Sequence, residues 1–339
     1  MSLQLGLFPE DPPAPTTGSV GPAAVPADLR AVAKRLPRNL RLGTSSWSFP
    51  GWEGIVYDRP ASQRSLAQEG LSAYGRHPLF RTVGIDRTFY RPIGAEDFQR
   101  YADDVPRDFR FLTKADRALT FPELPGRPGV RVPNPSFLDA RHAAVEVVGP
   151  MVEGLGKKAG PLLFQFPPIA PSVVGGRGAF VSRLRDFLAA LPEGPLYAVE
   201  LRTPAFLTEE YAEMLLDVGV AHCFTVHPAM APLQKQMEVV HAYRQPALVV
   251  RWMLHSGFRY EVAKERYAPF DELVDEDEDA RERIARAVLD AAVAERDAWV
   301  IANNKAEGSA PLTLGKLAAR IADWRPLPES PTETRPDAS

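Results

Sequence analysis

Short apolar runs recur along this chain, separated by amphipathic stretches. Leu40–Ser45, Phe80–Asp86, Phe109–Lys114, Pro161–Phe166, Leu196–Leu201, Ala221–Val226, Ala247–Met253 and Ala298–Ala302 are almost wholly apolar. They read as strands buried on both faces. Between them, helical spacing of apolar positions predicts helices over Ser65–Tyr74, Ala95–Ala102, 136–155, Ala179–Ala190, Thr208–Val218, Asp277–Arg296 and Leu312–Ala322. The helix at 277–296 carries acids early and arginines later, as the helix dipole favours. The segment from His227 to Arg244 has no clear assignment.

Eight strands alternating with helices imply parallel pairing through crossovers. The expected fold class is therefore α/β, a (β/α)8 TIM-type barrel over 38–324 as a single domain. A doubly wound open sheet is the alternative. No Gly-x-Gly-x-x-Gly follows a strand and no phosphate loop occurs, so the usual nucleotide signals are absent.

The flanks differ from the body. Pro9, Pro12, Pro13, Pro15, Pro22 and Pro26 stand among Ala, Gly, Ser and Thr. Residues 1–37 are expected to be mostly disordered, with one short helix at Ala27–Leu36, and 325–339 likewise. A loop at 116–135, rich in Pro and Gly, follows the third strand as a lid or a rigid decoration.

Charge and cysteine content narrow the class. The net charge is −3, so no global field draws nucleic acid or an anionic membrane. Cys223 is the sole cysteine, which forbids an internal disulfide and suits a reducing cytoplasm. No apolar run approaches a membrane span, and no basic segment followed by an apolar core marks a signal peptide.

Polar residues gather at one end of the strands, the end where barrels of this type place function. In chain order they are Ser45, Ser46 and Trp47; Asp86 with Tyr90; Lys114; Gln165; Glu200 and Arg202; His227; Arg251 and His255; Asn303, Asn304 and Lys305. Strand starts are mostly apolar. Lys114, Arg202 and Arg251 form a cationic set suited to a carboxylate or phosphate. Glu200 is the clearest acid, a candidate general acid or base, and Lys114 a candidate oxyanion binder or amine nucleophile. Arg202, Arg251, Gln165, Asn303, Asn304, Asp86, Ser45, Trp47 and Tyr90 are the candidate substrate-binding residues. Trp47, Phe49, Trp52, Phe89 and Tyr90 offer flat faces for a sugar or base, or simply pack the loops. Glu200 with Arg202 could equally be a buried structural pair.

Other chemistries fit less well. A glycosidase needs two facing carboxylates, and only Glu200 is clearly placed. No cofactor is expected. A divalent metal would need Asp86, His227 and His255 beside Glu200, without a helical His pair or a Cys pair to support it. The acidic run Asp275–Asp279 reads as a solvated helix start.

Gly43-Thr-Ser-Ser-Trp47, Thr88-Phe-Tyr90, Phe109-x-Phe-x-x-Lys114, Gln165-Phe-Pro-Pro168, Val199-Glu-x-Arg202, Arg251 and Asn303-Asn304, in this order, resemble the YecE-like family of domains of unknown function. The resemblance covers about 40–320 and implies a TIM barrel without implying a reaction. Where the family shows Glu-Ile-Asn before Thr-Phe-Tyr, this chain has Gly84-Ile-Asp86. The family's Arg-x-His-Gly is stretched here to Arg251-Trp-Met-Leu-His255-Ser-Gly257.

Near the N-terminus, Gln4-Leu5-Gly6-Leu7-Phe8 resembles the short peptide by which bacterial replication and repair proteins bind the sliding clamp. Gln4, Leu5, Leu7 and Phe8 would dock, and the Pro-rich segment would be the tether. Three readings follow: an enzyme on a small anionic or sugar-like substrate, phosphorylated or not; a clamp-tethered, nuclease-like repair enzyme; and a non-catalytic ligand-binding or adaptor barrel. Nucleic acid stays open as a partner, and no membrane is expected.

Overall fold

Each of the eight apolar runs forms a strand of one closed, all-parallel barrel. The computed structural model describes residues 20–127 and 129–324. The barrel strands are β1 (Leu40–Thr44), β2 (Phe80–Ile85), β3 (Arg110–Lys114), β6 (Ala159–Gln165), β7 (Tyr197–Glu200), β8 (Ala221–Val226), β9 (Leu248–Trp252) and β10 (Ala298–Ala302). β4 (Glu123–Pro125) and β5 (Arg131–Pro133) make a small antiparallel pair outside it. The barrel runs β1-β10-β9-β8-β7-β6-β3-β2 and closes between β2 and β1, so the open-sheet alternative is set aside.

Period-two alternation explains why these strands are apolar on both faces. Leu112, Leu163, Ala198, Ala221, Cys223, Val249, Trp299 and Ile301 pack together inside the barrel. Leu40, Leu42, Val83, Ile85, Phe111, Leu162, Phe164, Val199, Phe224, Val250 and Val300 point the other way, into the layer beneath the helices. At Gly43 the inner face admits no side chain, because a Cβ would lie 1.9 Å from the Thr82 carbonyl oxygen.

The helices are α1 (Ala27–Arg35), α2 (Gln63–Gly75), α3 (Ala95–Asp103), α4 (Ala140–His142), α5 (Gly149–Leu155), α6 (Arg177–Ala189), α7 (Glu209–Asp217), α8 (Leu233–Val239), α9 (Tyr260–Tyr267), α10 (Glu278–Val293) and α11 (Ala310–Ala322). Caps follow the expected chemistry: Ser62, Thr208 and Asp277 each accept a backbone N–H at the start of α2, α7 and α10. The acidic run before α10 is only partly a solvated start. Asp275 binds Arg266, and Glu276 binds Arg281 and Lys316.

Several expectations need correction. The helix expected over 136–155 begins at Ala140 and includes a π-helical turn, Ala143–Val148. The 116–135 loop contains the β4–β5 pair. The unassigned stretch after β8 contains α8, and α9 covers part of the stretch after β9. Residues 20–37 are not a loose tail. Val20 is buried, Ala23 N–H donates to the Val56 carbonyl at 2.9 Å, and Arg35 of α1 binds Asp323 at 2.8 Å. The Gln4–Phe8 peptide and the segment 325–339 lie outside the described residues. Among those described, no helix is long and apolar enough to cross a membrane.

Candidate active site at the barrel mouth

Extending the inward rows one step past the apolar core reaches a polar layer. Leu112 leads to Lys114, Leu163 to Gln165, Ala198 to Glu200, Val249 to Arg251 and Ile301 to Asn303. Register aligns Gln165 with Glu200 across β6 and β7, and Ile301 with Arg251 across β10 and β9. All lie at the C-terminal strand ends. The asymmetry seen in the sequence is therefore a layer in space.

Glu200 is fully buried and sits between two guanidiniums. Arg251 Nη1 donates to Glu200 Oε2 at 2.6 Å and to Gln165 Oε1 at 3.1 Å. Arg202 Nε donates to Glu200 Oε1 at 2.6 Å, and Arg202 Nη2 also faces that oxygen. Burial alone would raise the Glu200 carboxyl. Arg202, Arg251 and Lys114 outweigh it and hold the group at about 2. At neutral pH Glu200 stays ionised, which is unsuited to acid–base exchange. Paired with both Arg202 and Arg251, the carboxylate anchors and orients the two arginines. Burial opposes the charge on Arg251, but Glu200 and Asp86 more than offset this and raise its proton affinity.

Asp86 supplies the second carboxylate. Its Oδ2 stands 3.9 Å from Arg251 Nη2, and its Oδ1 has no hydrogen-bond partner among the described residues. At Gly84, where the family pattern carries an acid, a Cβ would come within 3.0 Å of the Ser45 carbonyl oxygen. The strand-two carboxylate in this mouth comes from Asp86.

Lys114 is almost buried. Its Nζ lies 3.5 Å from the Phe89 ring centroid. The adjoining turn is fixed by Thr88, whose hydroxyl donates to the Lys114 carbonyl at 2.6 Å. Burial, with Arg251 and Arg202, lowers the amine to about 8 against the upward pull of Asp86 and Glu200. His227 responds to the same charges. Burial and Arg202 bring it down to about 4, so it is neutral at pH 7.

The remaining candidates divide. Asn303 Nδ2 donates to Ser45 Oγ at 2.8 Å, which ties β10 to β1 at the mouth. Tyr90 is exposed beside Phe89, with ring centroids 5.4 Å apart, and stands at the rim. Asn304 Oδ1 accepts from Trp52 Nε1 at 3.3 Å and from Ala310 N–H at 2.8 Å, joining the β1 loop to the start of α11, while its Nδ2 is buried without a hydrogen-bond partner among the described residues. Trp47 packs edge-on against Tyr101, ring centroids 5.3 Å apart, and Trp52 is fully buried. Loop packing accounts for Trp52, whereas Trp47 Nε1 is buried without a hydrogen-bond partner among the described residues.

Asp86, His227 and His255 do not converge. His255 packs beside Phe258 and its Nδ1 accepts from Gly257 N–H at 3.1 Å. Among the described residues, the one three-ligand grouping of His and carboxylates is Glu209, Glu213 and His241 on the outer wall. There Glu213 is already engaged by Arg244 at 2.8 Å. Sequence reasoning gave no role to Lys305, which lies just past Asn303. Its one legible signal was its place directly after the Asn-Asn pair.

The family described as "Protein of unknown function DUF72" matches residues 41–336. A crystal structure of a DUF72 family protein from Enterococcus faecalis V583 is similar over 84% of this chain and 96% of its own, at 16% identity and a TM-score of 0.55. A second, from Thermotoga maritima MSB8, covers 83% and 98% at 18% identity and a TM-score of 0.53. At such identities the likeness shows the fold. No match is found among curated proteins.

Proposed function

The chain belongs to the DUF72 family, and from that premise we propose that its barrel mouth is the active site of an enzyme acting on a small anionic, hydroxyl-bearing molecule. One observation carries this reading: Lys114, Arg202 and Arg251 converge around the buried Glu200 at the C-terminal end of the barrel. Three cations against Glu200 and Asp86 leave a positive excess inside a low-dielectric mouth. A carboxylate or phosphate would neutralise it. Two arginines fixed by one carboxylate are pre-organised for such a group, which lowers the ordering penalty on binding.

Lys114 is the group suited to proton transfer. An amine held near 8 exchanges protons close to neutral pH, whereas Glu200 does not. Asp86, with an unpartnered oxygen, would orient the amine or a substrate hydroxyl. Gln165, Ser45 and Asn303 would bind hydroxyls, and Phe89 with Tyr90 would flank a ring.

A turnover screen of the full-length protein against phosphorylated and carboxylated sugars and hydroxy acids tests this. Lys114→Gln should remove turnover while binding weakens by about tenfold or less. Tight binding without turnover would instead favour the adaptor reading. Wild-type turnover in Lys114→Gln would overturn the assignment.

A further inference from the structure

Lys305 holds its charge in an unusual place. It follows β10 and is only 6% exposed. Its Nζ lies 4.3 Å from the Tyr260 ring centroid and 5.9 Å from that of Phe270. Its nearest polar partner is Asn303 Oδ1 at 3.4 Å, the outer edge of a hydrogen bond. Among the described residues, no carboxylate pairs with it. Burial, aided by Lys264 and opposed by Glu261, lowers the amine to about 8.

A buried amine without a carboxylate is unfavourable unless something compensates. Aromatic faces return less than the loss of hydration costs. Lys114 repeats the pattern: it is 8% exposed, faces an aromatic ring, and makes no side-chain hydrogen bond or ion pair among the described residues. Two such amines at one barrel mouth call for two anionic partners.

The two lysines occupy different electrostatic surroundings. Lys114 responds to Asp86, Arg251, Glu200 and Arg202. Lys305 responds to Lys264 and Glu261 of α9. They stand at opposite ends of the arc β10-β1-β2-β3, with Asn303, Ser45 and Asp86 between them. Tyr260 opens α9 and lies over Lys305 Nζ, two residues past the Asn303 that bonds Ser45, which sets this end of α9 beside the C-terminal ends of β10 and β1.

We propose that Lys305, with Asn303 and Tyr260, forms a second anion subsite at the barrel mouth, so that the natural ligand carries two anionic groups joined by an uncharged, hydroxyl-bearing span. This rests on the reading of the mouth as an anion site. The Lys114 end would take one group and the Lys305 end the other. Asn303 and Ser45, polar and uncharged, lie beneath the span.

The test uses the full chain with 13C at lysine Cε, titrated in pH by NMR with and without inorganic phosphate. Lys114→Gln and Lys305→Gln each delete one resonance and so assign it; Lys305→Arg serves if the glutamine variant folds poorly. Phosphate should raise both midpoints by about one unit, and Lys305 should still respond in Lys114→Gln. If Lys305 stays unmoved at millimolar phosphate while Lys114 rises, the second subsite is overturned and the anion-binding mouth stands. If only Lys305 rises, the mouth reading and the two-group ligand fall together. If neither moves, both are overturned.

Discussion

Arg251 reaches Glu200 beneath the barrel mouth, Nη1 to Oε2 at 2.6 Å, and neither side chain has meaningful contact with solvent. Arg202 occupies the other oxygen of the same carboxylate. A single acid thus fixes two cations in a site that is otherwise poor in negative charge. Removing that acid should be more damaging than removing either cation.

Glu200→Gln should destabilise the protein by about 3–5 kcal/mol in urea unfolding, because two buried guanidiniums lose their counter-charge. The pH dependence has a definite sign. Glu200 is depressed to about 2 in the folded state, so its contribution is present above the ordinary carboxylate range and is lost as pH falls toward 2. Glu200→Gln should lack that part of the acid-induced loss. Equal stabilities for the two proteins at pH 7 would contradict the anchor role.

Lys114 predicts the opposite behaviour. Its folded value is lowered to about 8, chiefly by burial, so the folded state is penalised for carrying the charge at neutral pH. Lys114→Met should stabilise the protein by about 1–2 kcal/mol at pH 7. That advantage should shrink as pH rises from 8 toward the unfolded lysine value and vanish above it, where the wild-type amine is neutral in both states. Urea unfolding at pH 7 and pH 10 reads the difference. A Lys114→Met variant that is less stable at pH 7 would show the amine to be a structural partner.

Asn304 separates scaffold from site. Because its side chain joins Trp52 and Ala310, Asn304→Ala should lower stability by about 1–3 kcal/mol while leaving anion binding within twofold of wild type. Thermal unfolding with and without phosphate distinguishes the two effects. A loss of the phosphate response at unchanged stability would return Asn304 to the binding surface.

The Gln4–Phe8 motif carries an expectation from sequence alone. A peptide of residues 1–12 should bind a bacterial sliding clamp, and Leu7→Ala with Phe8→Ala should abolish binding. Calorimetry showing no heat at high micromolar peptide would exclude it.

How far the sequence was legible depended on the range of the interactions. The eight strands could be read because each is a local apolar run whose two buried faces leave a continuous signal. The polar layer could be read because every member ends such a run. Residues 20–37 misled because Pro and Gly content conceals contacts made with Val56 and Asp58, which are distant in sequence. The β4–β5 pair is too short and exposed for periodicity to mark it. Glu200 and Arg202 could be read as a pair, but not the second guanidinium, Arg251, which lies 51 positions away on another strand and with Arg202 keeps Glu200 ionised. Lys305 was named as a strand-end residue but given no role for the same reason, since its burial comes from Tyr260 and Phe270 folding back over it. Asn304 and Trp47 were singled out by residue type alone; the loop contacts they make, and the buried Nδ2 and Nε1 they leave unpartnered among the described residues, depend on segments distant in sequence.

The central claim is that the mouth holds an oxyanion between Lys114 and the arginines clamped by Glu200. Crystals of the full chain soaked in selenate test it directly through the anomalous signal of selenium. The predicted map has a peak at the C-terminal end of the barrel, with selenate oxygens about 2.7–3.2 Å from Lys114 Nζ and from the Arg202 or Arg251 guanidinium. Selenate bound at the outer surface with an empty mouth would contradict the account.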